Sequence, residues 1–290
     1  MRLLRCLTVL AAALPLALLP AAPGQAAPPK PSVYLALGDS VAYGTGAADP
    51  MTQGYVPLLA ADLQGDGCGK GKGKAVGCRV QLVNLAQNGA TTVSLIAEQL
   101  PEALRLIEAR NSTRTPVDDV RLITITIGGN DVVDPVVNAC LRGLGDCPAT
   151  IAAQVAQVST NYAFILSALR AAAGPDTTIA VTAYYNAIEN TGCAINFATP
   201  LGRAVLEGNP REPGGAVLPG LPLVAAGFND AIRQQAAAFG AVIVETAAVV
   251  DPEGETQPDC LHPNTKGHAD IAEEVAARIG NPFRGRGKKH

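Results

Sequence analysis

The sequence predicts an α/β sandwich built on a mainly parallel sheet, and three observations carry that prediction. Short apolar or β-branched runs alternate with longer segments of helical apolar spacing. Three of the runs lead into polar turns that contain glycine. No internal repeat breaks the alternation. Consecutive parallel strands in such a sheet are joined by right-handed crossovers.

Residues 33–37 form an apolar run that closes at Gly38, as a strand buried on both faces should. Residues 55–63 carry apolar side chains at helical spacing. Residues 65–77, rich in glycine and carrying Lys70, Lys72 and Lys74, read as a solvated basic loop. A second strand covers 80–85. A helix over 93–107 sets Val93, Ile96, Leu100, Leu104 and Ile107 on one stripe. β-Branched residues crowd 122–127, the third strand. A helix over 151–172, a strand over 178–183, a helix over 223–239 and a strand over 241–245 continue the alternation. The last helix spans 265–279, with Asn264 as its N-cap and Gly280 as its stop. Between 186 and 222 the periodicity fails in a stretch rich in Gly and Pro. That stretch should pass over the sheet edge, as a substrate-binding loop or as an ordinary surface insertion.

The two ends of the chain differ from this body. Arg2 and Arg5, an apolar run over 7–19 and small residues at 24–26 form an export signal, with cleavage expected after Ala26. The run is too short to span a bilayer, and Cys6 precedes it, where a lipid anchor could not use it. A proline-rich leader (27–32), one domain (33–282) and a basic, disordered tail (283–290) complete the expected organisation of a secreted monomer. The net charge of −3 becomes −5 once Arg2 and Arg5 are removed, which speaks against a nucleic-acid partner.

Six of the seven cysteines lie outside the signal, and an even number in an exported chain indicates disulfides. Short loops close most readily, which pairs Cys68 with Cys78 and Cys140 with Cys147 and leaves Cys193 for Cys260. No pair has CxxC spacing, so a metal site is not expected.

Chemistry concentrates where strands end. Gly38-Asp39-Ser40, Asn88-Gly89-Ala90 and Gly128-Gly129-Asn130-Asp131 each follow a strand, and in an open parallel sheet all three turns share the ligand-binding edge. A serine nucleophile needs a base for its proton and donors for the developing oxyanion. Ser40 at a helix start would offer its own N–H, Gly89 would let a second N–H approach, and Asn130 would offer a side-chain amide. The chain has three histidines. His290 is in the tail, and His268 falls on the last helix, where a solvated or capping role is the default. His262 stands in DCLHP, and Asp259, three residues earlier, can reach its Nδ1 and leave Nε2 for the serine. Taken singly, Ser40 could be a helix cap, Asn130 with Asp131 a turn, and Asp259 and His262 surface residues. The ordered set points to acyl transfer.

In order, GDSVAYG, LAQNGATT, IGGND and DCLHP span residues 38–263 and resemble the four blocks of the SGNH hydrolases, also called GDSL lipases and esterases. The resemblance implies a three-layer α/β/α sandwich with a flavodoxin-like parallel sheet and no metal or other cofactor. It implies Ser40 as nucleophile, His262 as base and Asp259 as its partner, with Ser40, Gly89 and Asn130 as oxyanion donors. Val41 stands where the family name has leucine, at a position expected to pack inside. No GxSxG elbow surrounds Ser40, which argues against the ordinary α/β-hydrolase fold. Three disulfides in an exported chain look most like the secreted bacterial lipase and esterase branch. Ile195, Leu201, Val205, Leu206, Val217 and Leu218 would suit an acyl chain, so lipid or medium-chain esters, with transient contact at lipid surfaces, are the expected substrates. Removal of acetyl groups from carbohydrate or other polar substrates is the alternative. It would be supported by aromatic platforms, but aromatics are 4% of the chain and there is no Trp. A binding module that had lost the chemistry would not need all five site residues intact.

Overall fold

Val33, Leu35 and Leu37 face one side of the first strand, Tyr34 and Ala36 face the other, and all five are fully buried. A strand apolar on both faces needs a helical layer on each side. The computed structural model, which describes residues 31–65, 80–112, 119–194, 198–208 and 226–283, provides both. The export signal, most of the leader, Cys68 with Cys78, nearly all of the basic loop, part of the irregular 186–222 stretch and all but the first residue of the tail lie outside the described residues.

The sheet contains β1 (Ser32–Gly38), β2 (Val80–Asn84), β3 (Val120–Thr126), β4 (Thr178–Ala183) and β5 (Val242–Glu245). All pairings are parallel, and the order is β2-β1-β3-β4-β5. This is the flavodoxin-like order, and each of the five expected strands is present. The order reverses at β1 and β3, so the crevice beyond their carboxyl ends is the topological switch point where open α/β sheets bind ligands.

The helices are α1 (Ser40–Tyr43), α2 (Pro50–Gln53), α3 (Tyr55–Gly65), α4 (Thr92–Ser94), α5 (Leu100–Asn111), α6 (Gly129–Val136), α7 (Cys147–Ala173), α8 (Thr199–Glu207), α9 (Phe228–Ala238), α10 (Pro252–Glu255) and α11 (Thr265–Ile279). On one face Leu35, Ile123 and Ile125 pack with Ile107 of α5, Ile165 of α7 and Ile232 of α9. On the other, Tyr34, Leu122 and Val244 pack with Leu59 of α3 and Ile271 and Val275 of α11. Val41 is buried in this second layer, as expected. The Oδ1 of Asn264 accepts from the N–H groups of Lys266 and Gly267, at 2.9 and 3.1 Å, and α11 ends at Gly280.

Several helical features depart from the sequence pattern, and α9, expected from 223, starts at Phe228 because Gly227 before it is extended. The helix expected over 93–107 contains a π-helical segment, Leu95–Gln99, between α4 and α5. α7 begins four residues earlier than expected, because Asp146 caps it and Pro148 falls in its first turn, where a missing N–H costs nothing. α6, continued by a second π-helical segment (Val137–Leu141), and α8 were not expected. Pro135 inside α6 and the many glycines around α8 obscure their periodicity.

Candidate active site

β1 ends at a glycine because nothing else fits. Gly38 has φ +147°, and a Cβ there would lie 2.1 Å from the carbonyl oxygen of Thr126. The Gln99 side chain pairs with both backbone groups of Gly38, at 2.8 Å each. The chain then turns into α1, whose N-cap Asp39 accepts the Val41 N–H at 2.9 Å. Ser40 is thus the first residue of a helix, where backbone N–H groups have no intrahelical acceptor.

His262 reaches this point from the loop before α11. Its Nε2 lies 2.7 Å from Ser40 Oγ, and its Nδ1 lies 2.6 Å from Asp259 Oδ2. The other Asp259 oxygen accepts the N–H groups of Leu261 and His262, both at 3.0 Å. One carboxylate therefore folds the turn and orients the ring. Burial pushes the Asp259 carboxyl up, but the hydrogen bonds from the ring and these two N–H groups outweigh it and hold it below the usual range. A disulfide from Cys193 to Cys260 and a 2.7 Å hydrogen bond from Tyr185 Oη to the Leu261 carbonyl tie the loop down. The expected Cys140–Cys147 disulfide is also present.

Gly89 and Asn130 stand at the ends of β2 and β3. Asn130 lies in the first turn of α6, and its Nδ2 donates to the carbonyl of Ala90 at 2.8 Å, joining the two loops. Gly89 adopts φ +74°, and a Cβ on it would meet nothing within 4 Å. This left-handed backbone is what calls for glycine there.

Ser40, Asn130 and His262 open onto a cavity of about 210 Å³. Leu201, Val205 and Leu206 of α8 line it, as the aliphatic pattern suggested, while Ile195, Val217 and Leu218 lie outside the described residues. The opposite wall was not anticipated. It is built by Val132, Val133, Val136, Val137 and Leu141 of α6 and its π-helical extension. The repeated valine pairs of DVVDPVV are the signal in the sequence for this apolar wall, interrupted by Pro135 inside the helix. Tyr184 and Phe228, with ring centroids 5.4 Å apart, complete the cavity near the serine. Among the described residues no cluster of His, Cys, Asp and Glu could hold a metal ion.

Two further buried groups frame the site. His268, expected to be solvated or capping, is fully buried. Its Nδ1 accepts the Tyr55 N–H at 3.3 Å and its Nε2 donates to the Thr45 carbonyl at 2.9 Å, which defines a neutral tautomer. Burial lowers its pKa in agreement. Asp39 is 2% exposed and takes a hydrogen bond from Tyr184 Oη on its second oxygen. Burial pushes its carboxyl from 3.8 up to about 6, against hydrogen bonds from Tyr184 and Val41 and the attraction of His262.

Because the folded-state value is the higher one, Asp39's contribution to stability is complete below pH 3.8 and is lost as pH rises towards 6. The loss amounts to about 3 kcal/mol. Asp259 has the opposite sign, its contribution being present at neutral pH and lost on acidification. Asp39→Asn removes the first titration. Denaturant unfolding of the variant and its parent from pH 4 to 7 should show the difference shifting towards the variant by up to about 3 kcal/mol. A difference that stays flat with pH would contradict the buried ionisable carboxyl.

Solved structures with this architecture are similar to the chain at low identity. A lipase from a goat rumen metagenome is 19% identical with a TM-score of 0.59, the match covering 87% of this chain and 99% of that one. A putative GDSL-like lipase from Parabacteroides merdae is 17% identical with a TM-score of 0.56, covering 87% and 97%. An alpha/beta hydrolase enzyme from the metagenome of Lake Arreo is 20% identical with a TM-score of 0.51, again covering 87% and 97%. No curated protein matches the chain in sequence. Residues 36–269 match the GDSL-like Lipase/Acylhydrolase family, from Ala36 in β1 to Ala269 in α11, and the chain belongs to that family.

Proposed function

We propose that this protein is a secreted serine ester hydrolase that uses Ser40 as nucleophile and prefers lipid or medium-chain acyl esters. The observation that carries the reading is the unbroken contact from Asp259 through His262 to Ser40, at 2.6 and 2.7 Å.

In this mechanism Ser40 Oγ attacks the ester carbonyl while His262 Nε2 takes its proton, and Asp259 steadies the imidazolium. The oxyanion is held by the N–H groups of Ser40 and Gly89 and by the amide of Asn130, which spends only one of its two hydrogens on Ala90. Collapse of the tetrahedral intermediate breaks the ester C–O bond, and His262 returns the proton to the departing alcohol. Water, deprotonated by the same nitrogen, then releases the acid from the acyl-enzyme.

The aliphatic walls of the cavity favour an acyl chain over a sugar, since few polar groups line it beyond the reacting edge. Export is supported by the leader pattern and by the two disulfides, which persist in oxidising compartments. The protein acts as a monomer that meets lipid surfaces transiently, with Leu261, 44% exposed beside His262, available for contact.

A p-nitrophenyl ester series tests this reading. Each methylene that enters the cavity should raise kcat/KM about fourfold, from acetyl until the cavity is filled. A fluorophosphonate should add one phosphonyl group, on the peptide containing Ser40. A maximum at acetyl would overturn the acyl preference in favour of short-chain deacylation. No turnover of any ester and no label on Ser40 would overturn the catalytic reading.

A further inference from the structure

The two loop-borne donors for the oxyanion, Gly89 and Asn130, stand on loops that the sheet does not hold together. β1 lies between β2 and β3, so no ladder hydrogen bond joins the strands from which those loops depart. Apart from the Asn130 contact to Ala90, the link between them is a buried polar cluster. Both oxygens of Asp131 accept from Thr92, Oδ2 from its N–H at 2.8 Å and Oδ1 from its hydroxyl at 2.5 Å. Having spent its proton on Asp131, Thr92 Oγ1 accepts from Asn161 Nδ2 at 2.7 Å. Asn161 belongs to α7, and its own Oδ1 accepts from Gln157 at 3.0 Å. The direction of every proton in the cluster is thereby set.

We propose that Asp131, Thr92 and Asn161 are positioning residues that fix the loop carrying Gly89 against the loop carrying Asn130, so that both donors converge on the oxyanion. The proposal rests on the use of those donors described above. Thr92 is fully buried, and Asp131 and Asn161 are 7% and 8% exposed. A carboxylate is a costly filler for such a place, and burial raises its pKa against the hydrogen bonds from Thr92. An acid in the first turn of α6 would gain something from the helix dipole at a solvated site as well. Dipole compensation alone does not account for two oxygens both directed at one residue of the neighbouring loop. Oxyanion stabilisation depends on where the donors sit to within fractions of an ångström, so a small relaxation of either loop weakens it.

A double-mutant cycle on p-nitrophenyl ester turnover tests the proposal, with competent sites counted by fluorophosphonate titration. Asn130→Ala should lower kcat about 100-fold. Thr92→Val should lower kcat about tenfold with KM unchanged, and Thr92→Ser, which keeps the hydroxyl, should restore most of it. In the Asn130→Ala background Thr92→Val should cost clearly less than tenfold, about threefold, because one of the two donors it helps to place is already gone and only Gly89 remains to be displaced. Should Thr92→Val fold poorly, Asn161→Ala, at the outer end of the cluster, takes its place in the same cycle. Equal losses in both backgrounds would make the cluster purely structural and overturn the proposal while leaving the ester-hydrolase reading intact. An Asn130→Ala variant with parental kcat would remove the donor role itself, and with it both the oxyanion assignment and this proposal.

Discussion

Alanine at Ser40 is expected to lower kcat about 10⁴- to 10⁶-fold, alanine at His262 by a comparable factor, and the double variant no further than either single one. The physical reason is that in the proposed mechanism nucleophile and base act as one unit. Without His262 Nε2 at 2.7 Å, the hydroxyl keeps its proton, and without the hydroxyl the imidazole has nothing in place to deprotonate. The residual rate reports binding and the oxyanion donors alone. Asp259→Ala should cost somewhat less, about 10⁴-fold, since its oxygens orient the ring and fold its loop but exchange no proton with substrate. Steady-state kinetics on a p-nitrophenyl ester, with folded protein verified by circular dichroism, make the comparison. Parental turnover in Ser40→Ala, or losses that multiply in the double variant, would contradict the assignment.

Breaking the Cys193–Cys260 disulfide should destabilise the fold by about 4 kcal/mol and lower the melting temperature by about 10 °C, whereas breaking Cys140–Cys147 should cost about 2 kcal/mol. The difference follows from loop length, because the first bridge spans 67 positions and the second 7, and a longer constraint removes more entropy from the unfolded chain. The first bridge also holds Cys260 at φ +60°, a left-handed conformation unfavourable for any residue but glycine, directly between Asp259 and the Leu261-His262 segment. Cys193→Ser/Cys260→Ser should therefore lose kcat as well, while Cys140→Ser/Cys147→Ser should retain more of it. Denaturant unfolding and turnover of the two serine pairs provide the measurements. Equal destabilisation by the two pairs, or melting indifferent to a reductant, would sink the prediction.

How far the site was legible depends on how local its parts are. Asp259 and His262 are three residues apart, so their pairing is a property of one turn of chain. Ser40, Gly89 and Asn130 each follow a strand that announces itself as an apolar run, and parallel strands deliver their carboxyl ends to one edge. His268 was misjudged because its partners, Tyr55 and Thr45, are more than 200 positions away. Tyr184 was missed for the same reason, since its hydroxyl meets Asp39 across 145 positions.

By itself the sequence determined the order of the strands along the chain, the cap and stop of α11, the cysteine pairs at 140–147 and 193–260, and the candidate site set of Ser40, Gly89, Asn130, Asp259 and His262. Each of these is encoded in local pattern or in the chemistry of a short motif. Only the tertiary structure decided which helices wall the cavity, why Asp39 holds its proton near pH 6, and how Thr92 and Asp131 lock two loops that the sheet leaves apart. Those features arise from packing between distant segments and from the loss of water around buried charges, and neither is written in any stretch of sequence read alone.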